Sequence, residues 1–271
     1  RFGRAQRQSA SLHGGICAHL RGLQTRGLAG AHARVRYGQA AGRREAMALT
    51  ALLLPLLASN FSLKSHWDTI YAAPRTAQKE WLAGSEALPA VLSRLDHLEP
   101  GRRMLIPGCG ISSLGESFAG CGWEVLNVDF SPSAIAIGSE RTMGNPLVDW
   151  EVMDCRALPL PDASFDAVVD KGTLDALMCG DAWDVDVVRY MREVLRVLRP
   201  GGRFVAYSLS QANVLIPLLR EEIPEMPVTT EPVGQFRLFV GDRIGSVGIN
   251  LVLGLERKNE YSLPARVRAS N

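Results

Sequence analysis

The stretch Leu105-Ile106-Pro107-Gly108-Cys109-Gly110-Ile111-Ser112-Ser113 joins an apolar run to a Gly-x-Gly turn and then to polar residues suited to a helix start. Glycines let the backbone come close to a bound group, because no Cβ stands in the way. Asp129 closes the next apolar run, in Val128-Asp129-Phe130. A carboxylate there can accept hydrogen bonds from both hydroxyls of a ribose. Its competing role is to cap the helix that follows. Met153-Asp154-Cys155 ends a third run, where an acid and the next backbone N–H can read an adenine edge. Asp170 ends a fourth run. A carboxyl strand end is where open α/β sheets bind ligands. The set points to a ribose-bearing cofactor. Nicotinamide and flavin enzymes use similar turns. Ser113 stands where a dinucleotide fingerprint carries its third glycine, which counts against a pyrophosphate.

These residues need strands that deliver them to one edge, and the hydrophobic pattern supplies them. Short apolar runs at 103–106, 124–128, 149–153, 165–169 and 203–207 read as strands. Helical patterns at 114–119, 133–140, 185–198 and 213–222 separate most of them. On the helix at 185–198, Val188, Met191, Val194, Leu195 and Leu198 share a face, and Arg199-Pro200-Gly201-Gly202 stops it. Residues 227–233 and 249–255 are the last two strand candidates. Such alternation implies a parallel sheet covered on both faces. Upstream, Trp67, Ile70 and Tyr71 cluster at helical spacing. Trp81, Leu82, Leu88, Val91, Leu92 and Leu95 then trace an amphipathic helix ending near His97.

Charge divides the chain. Of 271 residues, 1–44 hold nine Arg and no Asp or Glu, while 45–271 carry 21 Lys+Arg against 28 Asp+Glu, a net of −7. An acidic domain is poorly suited to nucleic acid, whose affinity comes largely from cationic contacts to phosphates. The first 46 residues show no apolar period and are expected to be a disordered leader or a transit-like segment. Residues 62–258 are expected to form the folded domain, and 259–271 a C-terminal tail. The longest apolar run, 46–58, is short of the ~20 residues a membrane helix needs, so no membrane partner is expected. The five Cys are odd in number, and no two are two or three apart. Their spacing argues against a disulfide framework and against a metal site.

Four motifs now resemble a known family. Pro107-Gly108-Cys109-Gly110, Val128-Asp129-Phe130-Ser131, Pro161-Asp162-Ala163-Ser164-Phe165-Asp166 and Leu198-Arg199-Pro200-Gly201-Gly202 look like class I methyltransferases. Asp170-Lys171-Gly172-Thr173-Leu174-Asp175-Ala176 is more specific. It resembles the eukaryotic lysine methyltransferases of elongation factor 1A, the methyltransferase-like thirteen group. Ser208-Leu209-Ser210-Gln211-Ala212 and the early Trp67-Asp68…Tyr71…Glu80-Trp81 segment are similar to the same group. The resemblance covers about residues 65–256.

The resemblance implies an α/β fold: a Rossmann-like seven-stranded class I methyltransferase sheet with helices on both faces. It implies S-adenosyl-L-methionine as cofactor, held by Gly108, Cys109, Gly110, Asp129, Phe130, Asp154, Cys155 and Asp170. It implies a protein-lysine N-methyltransferase acting on a translation elongation factor, with a small-molecule methyltransferase of the same fold as the alternative. Asp170 and Asp175 are expected at the catalytic mouth, recruiting and orienting a lysine. Trp67, Tyr71 and Trp81 are expected to bind substrate along the acceptor channel. Lys171 reads as a solvated strand-end cation. No Asn/Asp-Pro-Pro-aromatic tetrapeptide is present, which argues against methylation of a base. The expected location is the cytoplasm, or the mitochondrion or plastid if residues 1–46 act as a transit peptide.

Overall fold

The computed structural model describes residues 61–73, 80–82, 87–95, 98 and 102–244. Two short helices come first, α1 (Lys64–Tyr71) and α2 (Leu88–Leu92). Then follow β1 (Arg103–Pro107), α3 (Leu114–Ala119), β2 (Glu124–Asp129), α4 (Pro132–Arg141), β3 (Val148–Val152) and β4 (Phe165–Lys171). The chain continues through α5 (Thr173–Leu177), α6 (Trp183–Val197), β5 (Leu198–Ser208), α7 (Ala212–Glu222), β6 (Val228–Val233) and β7 (Phe236–Asp242).

The strands form one seven-stranded sheet in the order β3-β2-β1-β4-β5-β7-β6. β1 to β5 run parallel, and β7 enters antiparallel between β5 and β6. Alternate side chains feed two cores, because successive strand residues point to opposite faces. Leu105, Val168, Phe204 and Ala206 join the core under α6 and α7. Met104, Ile106, Ala167, Val169, Val205 and Tyr207 join the core with Val91, Leu114 and Phe118 on the other face. The parallel order brings the carboxyl ends of β1, β2, β3 and β4 to one edge, beside the reversal between β1 and β4. That is where an open α/β sheet leaves a ligand crevice.

Several expectations shift. The seventh strand is Phe236–Asp242, a hairpin partner of β6, while residues 249–255 lie outside the described ones. The segments 1–46, 245–258 and 259–271 also lie outside them. Trp81 and Leu82 form a bend and not a helix, and Leu82 has φ 62°. The buried face of α6 is Val187, Tyr190, Met191, Val194 and Val197, because the helix is rotated by about one residue from the sequence reading. The helix α5 had no expected counterpart. Cys109, Cys121 and Cys155 are free thiols.

Candidate functional site

The site is built from the turn after β1. Gly108 and Gly110 have φ of 60° and 55°, in the left-handed region that favours glycine. A Cβ on Gly108 would lie 2.3 Å from Thr173 Oγ1, and one on Gly110 would lie 2.4 Å from the Tyr71 hydroxyl. Side chains on β4–α5 and α1 therefore fill the space that the two glycines leave. Thr173 fixes the first approach by donating its hydroxyl to the Pro107 carbonyl at 2.8 Å.

Asp129 joins this turn to the end of β2. Its Oδ2 accepts the Gly110 N–H at 2.9 Å and its Oδ1 accepts the Ser131 N–H at 2.8 Å. Each oxygen can accept a further bond. The two roles weighed from sequence are thus compatible, since Ser131 is the N-cap of α4. Burial pushes the Asp129 carboxyl up to about 6, against the pull of the two backbone N–H groups.

The cleft around this turn encloses about 870 Å³, part of it open to solvent. Gly108, Cys109, Gly110, Asp129, Phe130, Asp154 and Cys155, seven of the eight residues assigned to the cofactor in the sequence, line it. Burial pushes the Cys109 and Cys155 thiols up, so both stay protonated. Burial also acts to raise Asp154, but hydrogen bonds from Arg156 outweigh it and hold the carboxyl low. The Arg156 guanidinium bridges Asp154 at 2.8 Å and Asp186 at 3.1 Å.

Trp67, Tyr71 and Trp81 line the same cleft and form one aromatic wall with Phe61. Trp67 stacks on Tyr71 at 5.7 Å and meets Trp81 edge-on at 5.0 Å. Phe61 meets Trp81 edge-on at 5.5 Å. The Trp67 indole N–H donates to the Phe61 carbonyl at 2.6 Å, which fixes its ring.

Asp170 and Asp175 do not stand at the mouth. Both are fully buried and neither lines the cleft. Asp170 accepts the Thr173 and Leu174 N–H groups at 3.0 and 3.1 Å and the Tyr190 hydroxyl at 2.8 Å. Asp175 accepts the hydroxyls of Ser208 and Ser210, each at 2.8 Å, and the Leu209 N–H. Their oxygens are committed to ordering the start of α5 and the end of β5. Recruitment of a lysine by these two carboxylates, and direct cofactor contact by Asp170, are therefore corrected. Burial raises both carboxyls, Asp170 to about 7.

Lys171 is not the solvated strand-end cation expected from sequence. It is buried, and its ammonium donates to the Trp81 carbonyl at 2.6 Å and pairs with Glu80 at 2.8 Å. Both partners lie far upstream in sequence, so no local spacing could show the pairing. Among the described residues no group of acids, His and Cys is arranged to hold a metal ion, and no helix is long and apolar enough to cross a membrane.

Residues 105–206 match the family model described as "Methyltransferase domain". Over 153 residues the chain is 40% identical to EEF1A lysine methyltransferase 4 of Mus musculus, covering 53% of this chain and 59% of that protein. It is 33% identical over 167 residues to eEF1A lysine and N-terminal methyltransferase of Homo sapiens, covering 60% of this chain and 24% of that protein. The chain thus spans about three fifths of the first relative and a quarter of the second. A solved SAM dependent methyltransferase from Aquifex aeolicus aligns with a TM-score of 0.47 at 15% identity, over 60% of this chain and 94% of that one. The family match falls on the strands and turns that build the cleft, so residues 105–206 are similar to an S-adenosylmethionine-dependent methyltransferase domain, carried on a seven-stranded Rossmann-like sheet.

Proposed function

We propose that this chain methylates a lysine side chain on a translation elongation factor, with elongation factor 1A as the acceptor. Two relatives whose names specify that acceptor support the reading. The observation that carries it is the aromatic wall of Trp67, Tyr71 and Trp81 in the same cleft as the Gly108–Gly110 turn. A cytoplasmic place of work follows from that acceptor.

The cleft fits the cofactor on its own geometry. Its turn has no room for a Cβ at Gly108 or Gly110, and Asp129 keeps acceptor capacity on both oxygens. In this reading Asp129 takes the ribose hydroxyls, and Gly108, Cys109 and Gly110 form the backbone cradle. Phe130, Asp154 and the Cys155 N–H surround the adenine. Bound there, the cofactor supplies an electrophilic methyl group on a sulfonium. Asp170 acts at a distance, by setting the start of α5.

The acceptor amine must be neutral to react, and its reference pKa is near ~10.4. Desolvation disfavours an ammonium. The rings of Trp67, Trp81 and Phe61 offer an approach with few polar partners. They would orient the nitrogen for the transfer, and positioning of this kind is a main source of rate in a displacement. The chain's own residues would bind and orient the neutral amine toward the methyl group that the cofactor would supply, and the proton lost from the ammonium would go to solvent.

Incubation with methyl-labelled S-adenosylmethionine and a cell lysate, followed by identification of the labelled species, tests the reading. A labelled elongation factor is expected. Label confined to small metabolites would move the chain to small-molecule methylation.

A further inference from the structure

Glu80 and Lys171 form an ion pair inside the cleft. Lys171 is 6% exposed in its side chain and Glu80 is 30% exposed. Both line the cleft alongside Trp81, whose carbonyl also accepts the Lys171 ammonium. The segment at residues 80–82 is seated on the end of β4. The Leu82 side chain packs so closely over Gly172 that a Cβ there would lie 2.8 Å from Leu82 Cδ1. Gly172 has φ 84°, so the glycine serves both the turn and the contact.

The other titratable groups around the cleft are already neutral or partnered. Tyr71, Cys109 and Cys155 are held protonated by burial. Asp154 is bridged by Arg156. Asp129 is bound by two backbone N–H groups at the cofactor turn. Asp170 and Asp175 lie beneath the cleft with their oxygens bonded inward. An unpaired Glu80 would therefore be a free carboxylate in the acceptor half of the cleft. An opposite charge close to an amine stabilises its ammonium form and raises its pKa. Such a carboxylate would hold an incoming lysine in its unreactive state.

We propose that Lys171 is a positioning residue whose ammonium neutralises Glu80 and so keeps the acceptor lysine deprotonated in the cleft. The same contact fixes Trp81 as part of the channel wall. The inference rests on the reading of the acceptor as a lysine amine. Lys171 acts through Glu80 and through the field it adds, and it makes no bond to the reacting atoms.

The test is the pH profile of kcat with purified elongation factor 1A, because kcat reports groups in the bound complex. Lys171→Met should move the alkaline-rising limb toward higher pH by about one unit. Glu80→Gln leaves the cation without its carboxylate and should move that limb the other way. The double variant Lys171→Met/Glu80→Gln should return the limb to near its wild-type position. Calorimetry with S-adenosylhomocysteine on each variant reports whether the cleft is intact. Should Lys171→Met fail to fold, the opposite shift in Glu80→Gln decides alone. Variants that keep the wild-type limb while binding S-adenosylhomocysteine would overturn the role of Lys171. Absence of labelling by the wild-type chain would instead overturn the acceptor reading on which it rests.

Discussion

The Gly110 N–H donates to the Asp129 carboxylate at 2.9 Å, and this bond ties the turn after β1 to the end of β2. The residue that presents acceptors for a ribose also shapes the backbone cradle beside it. Losing Asp129 should therefore loosen the turn and, in the proposed reading, remove the ribose contacts with it.

Asp129→Ala should lower S-adenosylhomocysteine affinity at least tenfold while the sheet survives. Two charge-assisted hydrogen bonds to ribose hydroxyls are worth roughly 1.5–3 kcal/mol each. Calorimetry checks the affinity and circular dichroism checks the fold. Wild-type protein should bind S-adenosylhomocysteine and not NADH. Wild-type-like affinity in the variant would remove Asp129 from the site.

The raised carboxyl of Asp129 gives cofactor binding a pH dependence. The ionised form is the better acceptor, so affinity should tighten as pH rises through about 6. Stability of the cofactor-free domain runs the other way. A carboxyl whose folded pKa is raised favours the native state below its unfolded value of about 3.9. That contribution is lost as pH rises through about 6 for Asp129 and about 7 for Asp170. Thermal unfolding of the free protein should therefore show these groups contributing less with rising pH between these limits. Asp129→Asn should flatten the binding profile and reduce the stability slope in that window, leaving the part that Asp170 contributes.

Gly110→Ala meets two obstacles. Its φ of 55° costs an alanine about 1–2 kcal/mol, and the new Cβ meets the Tyr71 hydroxyl. Cofactor affinity should fall at least tenfold. Adding Tyr71→Phe removes the oxygen in contact and should recover part of the loss in the same titration. The backbone strain remains, so recovery should be incomplete.

Asp175→Asn separates a structural role from acceptor recruitment. Three donors, the Ser208 and Ser210 hydroxyls and the Leu209 N–H, converge on this carboxylate. An amide would turn an N–H₂ group toward some of them. Urea unfolding should show a loss of about 1–3 kcal/mol. KM for the protein acceptor, measured where the variant is folded, should stay close to that of wild type. A selective rise in KM would restore the recruiting role.

The residues that line the cleft around the Gly108–Gly110 turn were legible because their signals are local. Gly108 and Gly110 follow an apolar strand directly, and Asp129, Asp154 and Cys155 sit at the ends of the next two. Strand order then converts those sequence positions into one crevice. The acceptor half was less legible because it depends on distant pairings. The acids of the Asp170–Asp175 motif are visible in sequence, but Tyr190, Ser208 and Ser210, which consume their oxygens, are not adjacent to them. Lys171 reads as a strand-end cation until Glu80 and Trp81 are placed against it. The last strand was missed for a related reason. Phe236–Asp242 follows β6 after a tight turn at Gly234, and the apolar run at 249–255 drew the assignment away from it.

Transfer of a labelled methyl group from S-adenosylmethionine to purified elongation factor 1A, with the modified residue located by peptide mass spectrometry, decides whether the proposed acceptor is the right one. Label is expected on a lysine side chain with the wild-type chain and is expected to fall at least tenfold with Asp129→Ala. An unlabelled elongation factor, in a reaction where the wild-type chain binds S-adenosylhomocysteine and methylates small metabolites, would contradict the proposed acceptor.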